Sequence, residues 1–381
     1  MCCHCMSRRE FMELAVASSA GVAAGLAMGE NTTGYQKWSW DPEKPLYTVS
    51  RTLRVLPVLM YRVPQKREMT SYKSWGGVQS HEAAEEESAR IDRELREIAG
   101  SVQFPMEVLP VVRVTSPEEA ARIDHTQADV TVVYPATGSG QTLRACIPDR
   151  GAVIFARHKS GPVYYWYEAL SVRYLARDGE TPDGDRRVSV RDVVIDSLDE
   201  LRWRLQALNA VNNLLKCRVA TLGGFQGKYA PEAPEVARQK WGMEIINLGY
   251  DEFEKRLKAA FSDASLMREA DRWTEKFLSM PGTSLETERS YVVNAFVLYV
   301  LFKQFMEESN ASVFSIMDCM SAIMPMSRTT ACLTLGLLND EGLIAFCESD
   351  FVVIPAGILL RHIAGVPVFM HNSTFPHVGG V

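Results

Sequence analysis

Residues 331–350 read ACLTLGLLNDEGLIAFCESD, and the change of pattern inside them decides the fold class. The apolar run 333–338 reads as the end of a helix. Asn339, Asp340, Glu341 and Gly342 stop it, because Gly takes the left-handed position past a helix end and Asn and Asp favour turns. Residues 343–347 form a short apolar stretch bounded by turn residues, the mark of a strand. That strand delivers Glu348, Ser349 and Asp350 to its carboxyl end, where open α/β sheets hold their ligands.

The rest of the chain repeats this alternation. Strands are expected at 53–59, 106–112, 129–134 and 152–156, with an amphipathic helix at 81–99 carrying Ile91, Leu95 and Ile98 on one face. Ser116 caps a helix starting at Pro117, and Glu119 completes a capping box. Residues 177–187, rich in Gly, Asp and Pro, are the best domain boundary. Beyond them the pattern restarts with a helix at 197–215, a strand at 217–222, a helix at 233–241 and a strand at 243–248, then helices at 250–261, 264–278 and 285–308. The last is apolar on nearly every side and is expected between layers. Repeated β-α units predict the α/β class: two Rossmann-like domains with helix-covered parallel sheets, 31–187 and 188–365, followed by the start of a truncated third domain at 366–381.

Two glycine loops follow strands. Gly138-Ser139-Gly140 could cradle an anion or sugar hydroxyls with backbone N–H groups, or be a tight turn. Gly223-Gly224-Phe225-Gln226-Gly227 lies at a strand's carboxyl end in the second domain. Gly138, Gly140, Gly223 and Gly224 are therefore candidate substrate-binding positions. Neither loop is a Walker A or a GxGxxG dinucleotide loop. His158 to Pro162 and the cluster Tyr164, Tyr165, Trp166 and Tyr167 open a helix, as a packed start or as rings that stack on a sugar.

A composition 46% hydrophobic and 23% charged is that of an ordinary globular chain, and a net charge of -6 argues against nucleic acid as the main partner. The eight cysteines fall into Cys2, Cys3 and Cys5 at the start and five scattered singles, several within apolar runs, which suits buried thiols folded in a reducing compartment. Ser7-Arg8-Arg9-Glu10-Phe11-Met12 ahead of an Ala/Gly-rich stretch matches a twin-arginine export signal over 1–30. Its partner would be the twin-arginine translocase and its destination the periplasm or cell envelope, with the cytoplasm as the alternative. Cys2, Cys3, His4 and Cys5 stand too close together to wrap a tetrahedral ion.

Residues 330–351, TACLTLGLLNDEGLIAFCESDF, followed by ILLRHIAGVPVF at 358–369, resemble the segment of the L-fucose/L-arabinose isomerase-like sugar isomerases in which LNDEGI-x-A-x-CEGD leads into a helix and a strand. The resemblance implies that Asp350 binds a divalent cation, usually Mn²⁺, at vicinal sugar oxygens, and that the chemistry is aldose–ketose isomerisation through an ene-diol. Glu348 would be the second ligand or the base, so that Glu348 and Asp350 are the candidate catalytic and metal residues. The family's other ligands are a Glu upstream and a His downstream. Here the segment 312–319 ends in Asp318-Cys319-Met320 with no acid in the next twelve residues, and the His would lie past Val381. His371 and His377 are either near the site or part of a tail. The plain alternative for Asp350 is the N-cap of a helix at 352–363. The functional alternative is a non-catalytic extracytoplasmic sugar-binding protein or an inactive truncated remnant. The expected ligand is a small-molecule sugar, and the expected assembly a homo-oligomer.

Overall fold

A computed structural model describes residues 38–44, 49–171, 173–177, 187–368 and 370; the expected export signal with Arg8 and Arg9, as well as His371 and His377, lies outside them. The chain divides into two compact units, residues 50–212 and residues 213–381 together with 1–49.

The first unit contains β1 (Leu53–Met60), β2 (Met106–Val108), β3 (Val112–Val114), β4 (Val130–Pro135), β5 (Val153–Ala156) and β8 (Val193–Ile195), with a separate ladder of β6 (Leu175–Ala176) and β7 (Val188–Ser189). Every pairing is parallel. The sheet runs β2-β1-β4-β5-β8, with β2 beside the first half of β1 and β3 beside the second. Taking β2 and β3 as one interrupted edge strand, the order is 2-1-3-4-5, which reverses beside β1.

The sequence of β1, LRVLPVLM, is almost continuously apolar because both faces of a parallel sheet are covered. Leu53, Val55 and Leu59 join Ile91, Leu95 and Ile98 of α1 (His81–Ser101) in one core. Leu56, Val58 and Met60 join Leu143 and Cys146 of α2 (Gly140–Cys146) in another. The first core also holds a buried charge group. Arg157, fully buried, pairs with Glu87 and Glu94 of α1 at 2.6 Å each, and the Tyr164 hydroxyl donates to Glu87 at 2.7 Å. Removing one member would leave the others charged in a dry core, which is why such groups are found complete.

The second unit repeats the plan with α3 (Leu198–Leu214) leading into it. β9 (Arg218–Leu222), β10 (Glu244–Leu248), β11 (Val313–Ile316) and β12 (Ile344–Cys347) form a parallel sheet in the order β10-β9-β11-β12. Side chains alternate between two cores. Ala220, Leu222, Phe314, Ile316 and Ala345 face α5 (Tyr250–Ser262), α6 (Ala264–Leu278), α7 (Arg289–Glu308) and α8 (Cys332–Asp340). Val219, Val313, Ile344 and Phe346 face α4 (Ala233–Trp241) and α9 (Ile354–Ala364). As the all-round apolar pattern predicts, α7 is buried along most of its length, and its one buried ammonium, Lys303, reaches Glu341 at 2.6 Å. Trp40, ahead of the first unit in sequence, packs edge-on against Phe296 at 5.0 Å between ring centroids.

The chain is α/β, with parallel sheets covered by helices. The first unit extends to residue 212 rather than 187 because β8 pairs with β5 and supplies that sheet's last strand. Residues 178–186, the centre of the expected boundary, lie outside the described residues. Of the scattered cysteines, Cys146, Cys217 and Cys319 are buried, Cys347 is half-buried and Cys332 is exposed.

Asp196, just past β8, holds the loop after β5: its carboxylate accepts from the backbone N–H groups of His158, Lys159 and Ser160 at 2.8 to 3.0 Å and from the Ser160 hydroxyl at 2.7 Å. Burial alone would raise its pKa. The N–H and hydroxyl donors of His158, Ser160 and Lys159 outweigh burial and hold it at about 2, below the ordinary 3.8. Because the folded pKa lies below the unfolded one, this stabilisation is complete above the unfolded value and is lost as pH falls from 3.8 towards 2. Asp196→Asn, which tolerates the left-handed backbone found there (φ 60°), should cost about 1–2 kcal/mol near neutral pH. Denaturant unfolding near neutrality and near about pH 3 should show the gap between parent and variant closing in acid.

Candidate functional site

The carboxyl edge of the second sheet carries the expected residues. β9 and β12 both flank β11 without pairing with each other, yet the segments that leave them meet across its end. The Gln226 N–H donates to the Ser349 carbonyl at 3.0 Å, the Phe351 N–H to the Gln226 carbonyl at 2.8 Å, and the Gln226 amide to the Glu348 carbonyl at 3.2 Å. From below, the Ser315 hydroxyl of β11 accepts the Ser349 N–H at 3.1 Å. The glycine loop and the acidic turn, distant in sequence, are thus one structure.

Glu348 and Ser349 both adopt left-handed backbone, with φ of 67° and 41°. Each costs a side-chain-bearing residue about 1–2 kcal/mol. Ser349 occupies the place that the resembled motif gives to glycine, and its hydroxyl is buried without a hydrogen-bond partner.

Glu348 is held from outside: its Oε2 takes the Lys228 ammonium at 2.9 Å, both side chains about a third to two-fifths exposed. The hydrogen bond to Glu348, the charge of that carboxylate and the nearby Asp350 raise the Lys228 pKa. Asp350 is held from inside. Only 6% exposed, it accepts the Val352 N–H at 3.0 Å and the Lys228 N–H at 3.2 Å on one carboxylate oxygen, and its carbonyl takes the N–H groups of Val353 and Ile354. The helix α9 begins at Ile354 with Val353 at its cap, so Asp350 caps the turn ahead of the helix rather than the helix itself.

Gly223 and Gly224 belong to the same edge. Both have positive φ, 81° and 134°, and a Cβ on Gly223 would overlap the Tyr250 ring, whose hydroxyl donates to the Met317 carbonyl. Burial raises the Tyr250 pKa, as do Cys319 and Asp318 beside it. Asp318 leaves β11 where the strand order reverses, exposed, in left-handed backbone (φ 53°), ahead of a π-helical turn at Cys319–Ile323. It is the acid nearest in sequence to the place of the expected upstream Glu.

Gly138 and Gly140 lie in the first unit. Gly138 turns the chain at φ 122° against Met60, a Cβ on Gly140 would overlap the Tyr174 ring, and the Ser139 hydroxyl caps α2 at the Thr142 N–H. Turn and packing account for both. His158 stacks on Tyr167 at 4.4 Å, while Tyr164 and Trp166 are buried, which is the packed form of that helix start.

The expected cation does not fit this donor set. Glu348 already neutralises an ammonium, and one oxygen of Asp350 is spent on backbone donors. Among the described residues no group of three His, Cys, Asp or Glu could share an ion. Lys228 and Gln226 were not singled out from sequence; their only signal was to follow the Gly223-Gly224 turn. No protein-family model matches the chain, and comparison with curated proteins gives no match.

Two substitutions test the turn. Asp350→Ala should cost about 1–3 kcal/mol by orphaning the Lys228 and Val352 N–H groups, whereas Asp350→Asn, which keeps an acceptor, should cost less than about 1 kcal/mol. Ser349→Gly removes both the backbone strain and the unpartnered hydroxyl, and calorimetry should find the variant more stable by about 1 kcal/mol.

Proposed function

We propose that this chain is a two-domain, Rossmann-like relative of the sugar isomerases that binds a small polyhydroxylated molecule at the carboxyl edge of its second sheet without a resident metal ion. The observation that carries this reading is the Lys228–Glu348 ion pair at 2.9 Å on the acidic turn. An ammonium and a carboxylate, both partly exposed, offer a donor and an acceptor to vicinal hydroxyls, and Asp318 offers a further carboxylate at the end of β11. Donors and acceptors fixed side by side at the end of a sheet favour ligands that present several hydroxyls to them. A divalent cation would have to displace the ammonium from Glu348 and sit beside it, against like-charge repulsion. Metal-dependent aldose–ketose isomerisation is the less supported reading for that reason. Export by the twin-arginine route and assembly into a homo-oligomer belong to the same proposal and rest on sequence alone.

The experiment is a calorimetric titration of the full chain with a panel of pentoses and deoxyhexoses, with a chelator and then with Mn²⁺. Binding should be the same in both conditions, and Lys228→Met should weaken it by about tenfold, near 1.4 kcal/mol. Absence of binding across the panel, or ketose formation that requires Mn²⁺, would overturn the proposal.

A further inference from the structure

The first unit has a crevice of its own, unrelated to the sugar reading. It is a cavity of about 430 Å³ lined by Tyr61, His81, Glu82, Glu85, Arg113, Thr115 and Glu119. The volume lies at the small end of the range for ligand pockets, roughly 300–1,000 Å³. Its position follows from the topology. Tyr61 leaves the carboxyl end of β1, and its N–H bonds to the Val114 carbonyl at 3.0 Å, fixing it to β3. Arg113 and Thr115 come from β3 and its end, Glu119 from the short helix Pro117–Ala120, and the other three from the first turns of α1. This is the edge of a parallel sheet where ligands are held. On the other side of β1 the corresponding space is filled: the Thr137 hydroxyl accepts the Arg62 N–H at 2.9 Å and donates to the Val78 carbonyl at 2.8 Å, drawing the loop before α1 over the end of β4.

Three features define the chemistry of the open side. First, the Tyr61 hydroxyl and His81 Nδ1 share a hydrogen bond of 2.8 Å with their rings edge-on at 5.8 Å, and Tyr61 is only 4% exposed. This fixes the imidazole and leaves Nε2 as its free position. Second, Glu119 is tied down, one oxygen accepting the Thr115 N–H at 2.7 Å and its hydroxyl at 2.8 Å. The Ser116 hydroxyl accepts the Glu119 N–H at 3.3 Å as the expected cap, while the Glu119 carboxylate reaches mainly back to Thr115, the residue before that cap. Third, Arg113 has no ion-pair partner among the described residues, although it and Glu119 both act electrostatically on Tyr61. His81 and Glu85 share a face of α1 at i and i+4.

Three carboxylates face one guanidinium, so the lining is two charges negative with His81 counted as neutral. A simple anion meets only Arg113 and is repelled by the rest. A neutral polyol can hydrogen-bond to these groups but leaves the two net negative charges uncompensated. A diamine answers the carboxylates and leaves the guanidinium against its own cations. We propose that this crevice binds a small dibasic amino acid, its carboxylate on Arg113 and its two cationic groups among Glu82, Glu85 and Glu119. A guanidinium receives a carboxylate in bidentate geometry, which adds direction to the charge attraction.

Calorimetric titration of the full chain with L-lysine, L-ornithine and L-arginine, and separately with cadaverine and inorganic phosphate, tests this. The amino acids should bind with millimolar or better affinity, cadaverine more weakly, and phosphate not at all. Glu85→Gln should weaken lysine and cadaverine alike by about tenfold, whereas Arg113→Gln should weaken lysine and erase its advantage over cadaverine. Both positions are exposed, so circular dichroism and melting temperature should match the parent. No binding of any dibasic amino acid, phosphate binding as tight as lysine, or an Arg113→Gln variant that still prefers lysine to cadaverine would each overturn the proposal. The sugar titration reads a different unit, so either proposal can fail while the other stands.

Discussion

Parallel pairing throughout both sheets is the constraint on which the rest of the structure depends. A parallel strand returns to its sheet only through a crossover, and the crossovers leave helices on both faces. Both faces of every central strand are then apolar, as the alternation of β1 between two cores and of β9, β11 and β12 between two others records. Chemistry is pushed to the ends of the strands, and in both units the polar clusters lie at the carboxyl ends.

At those ends the backbone must find partners without a ladder. In the second unit it does so by pairing two loops over the intervening strand, through Gln226 and the turn at 348–350, and the turn accepts two left-handed residues in consequence. In the first unit the equivalent work is done by side chains: Thr137 ties one loop, and Asp196 gathers three successive N–H groups of another. A carboxylate in such a ring of backbone donors plays the part that a bound anion plays in other α/β loops. Gly138 and Gly140 show the opposite case, a glycine loop after a strand in which one glycine supplies the positive φ of the turn and the other makes room for Tyr174.

Charge is also placed inside the cores, and two such groups are held by full sets of partners. Arg157 lies between Glu87 and Glu94 with Tyr164, and Lys303 between Glu341 and Tyr299. Burial pulls the Lys303 pKa down while Glu341 opposes it, so the partner is what keeps the ammonium tolerable there. Such groups fix which helix face meets which strand more sharply than apolar contacts do, because a one-turn slip would strand a charge.

Much of this was legible in the chain itself. Periodicity gave the α/β class, the buried character of α7, the strand ending at Cys347 and the turn that follows, because apolar spacing and turn residues act over a few positions. Three things were not legible. The first unit runs to residue 212 because β8 pairs with β5, a contact between residues some forty positions apart that no local pattern announces. The partner of Glu348 is Lys228, about 120 positions away, and an exposed lysine after a glycine loop looks like any other. The crevice of Tyr61, His81 and Arg113 gathers three separate segments with no shared motif. The sequence by itself determined the long helices, the strands β1, β4, β5, β9, β10 and β12, and that an acidic turn closes β12, but not β8 or the break between β2 and β3. Only the tertiary structure decided what that turn faces, since long-range pairing brings together residues whose separate surroundings carry no trace of one another.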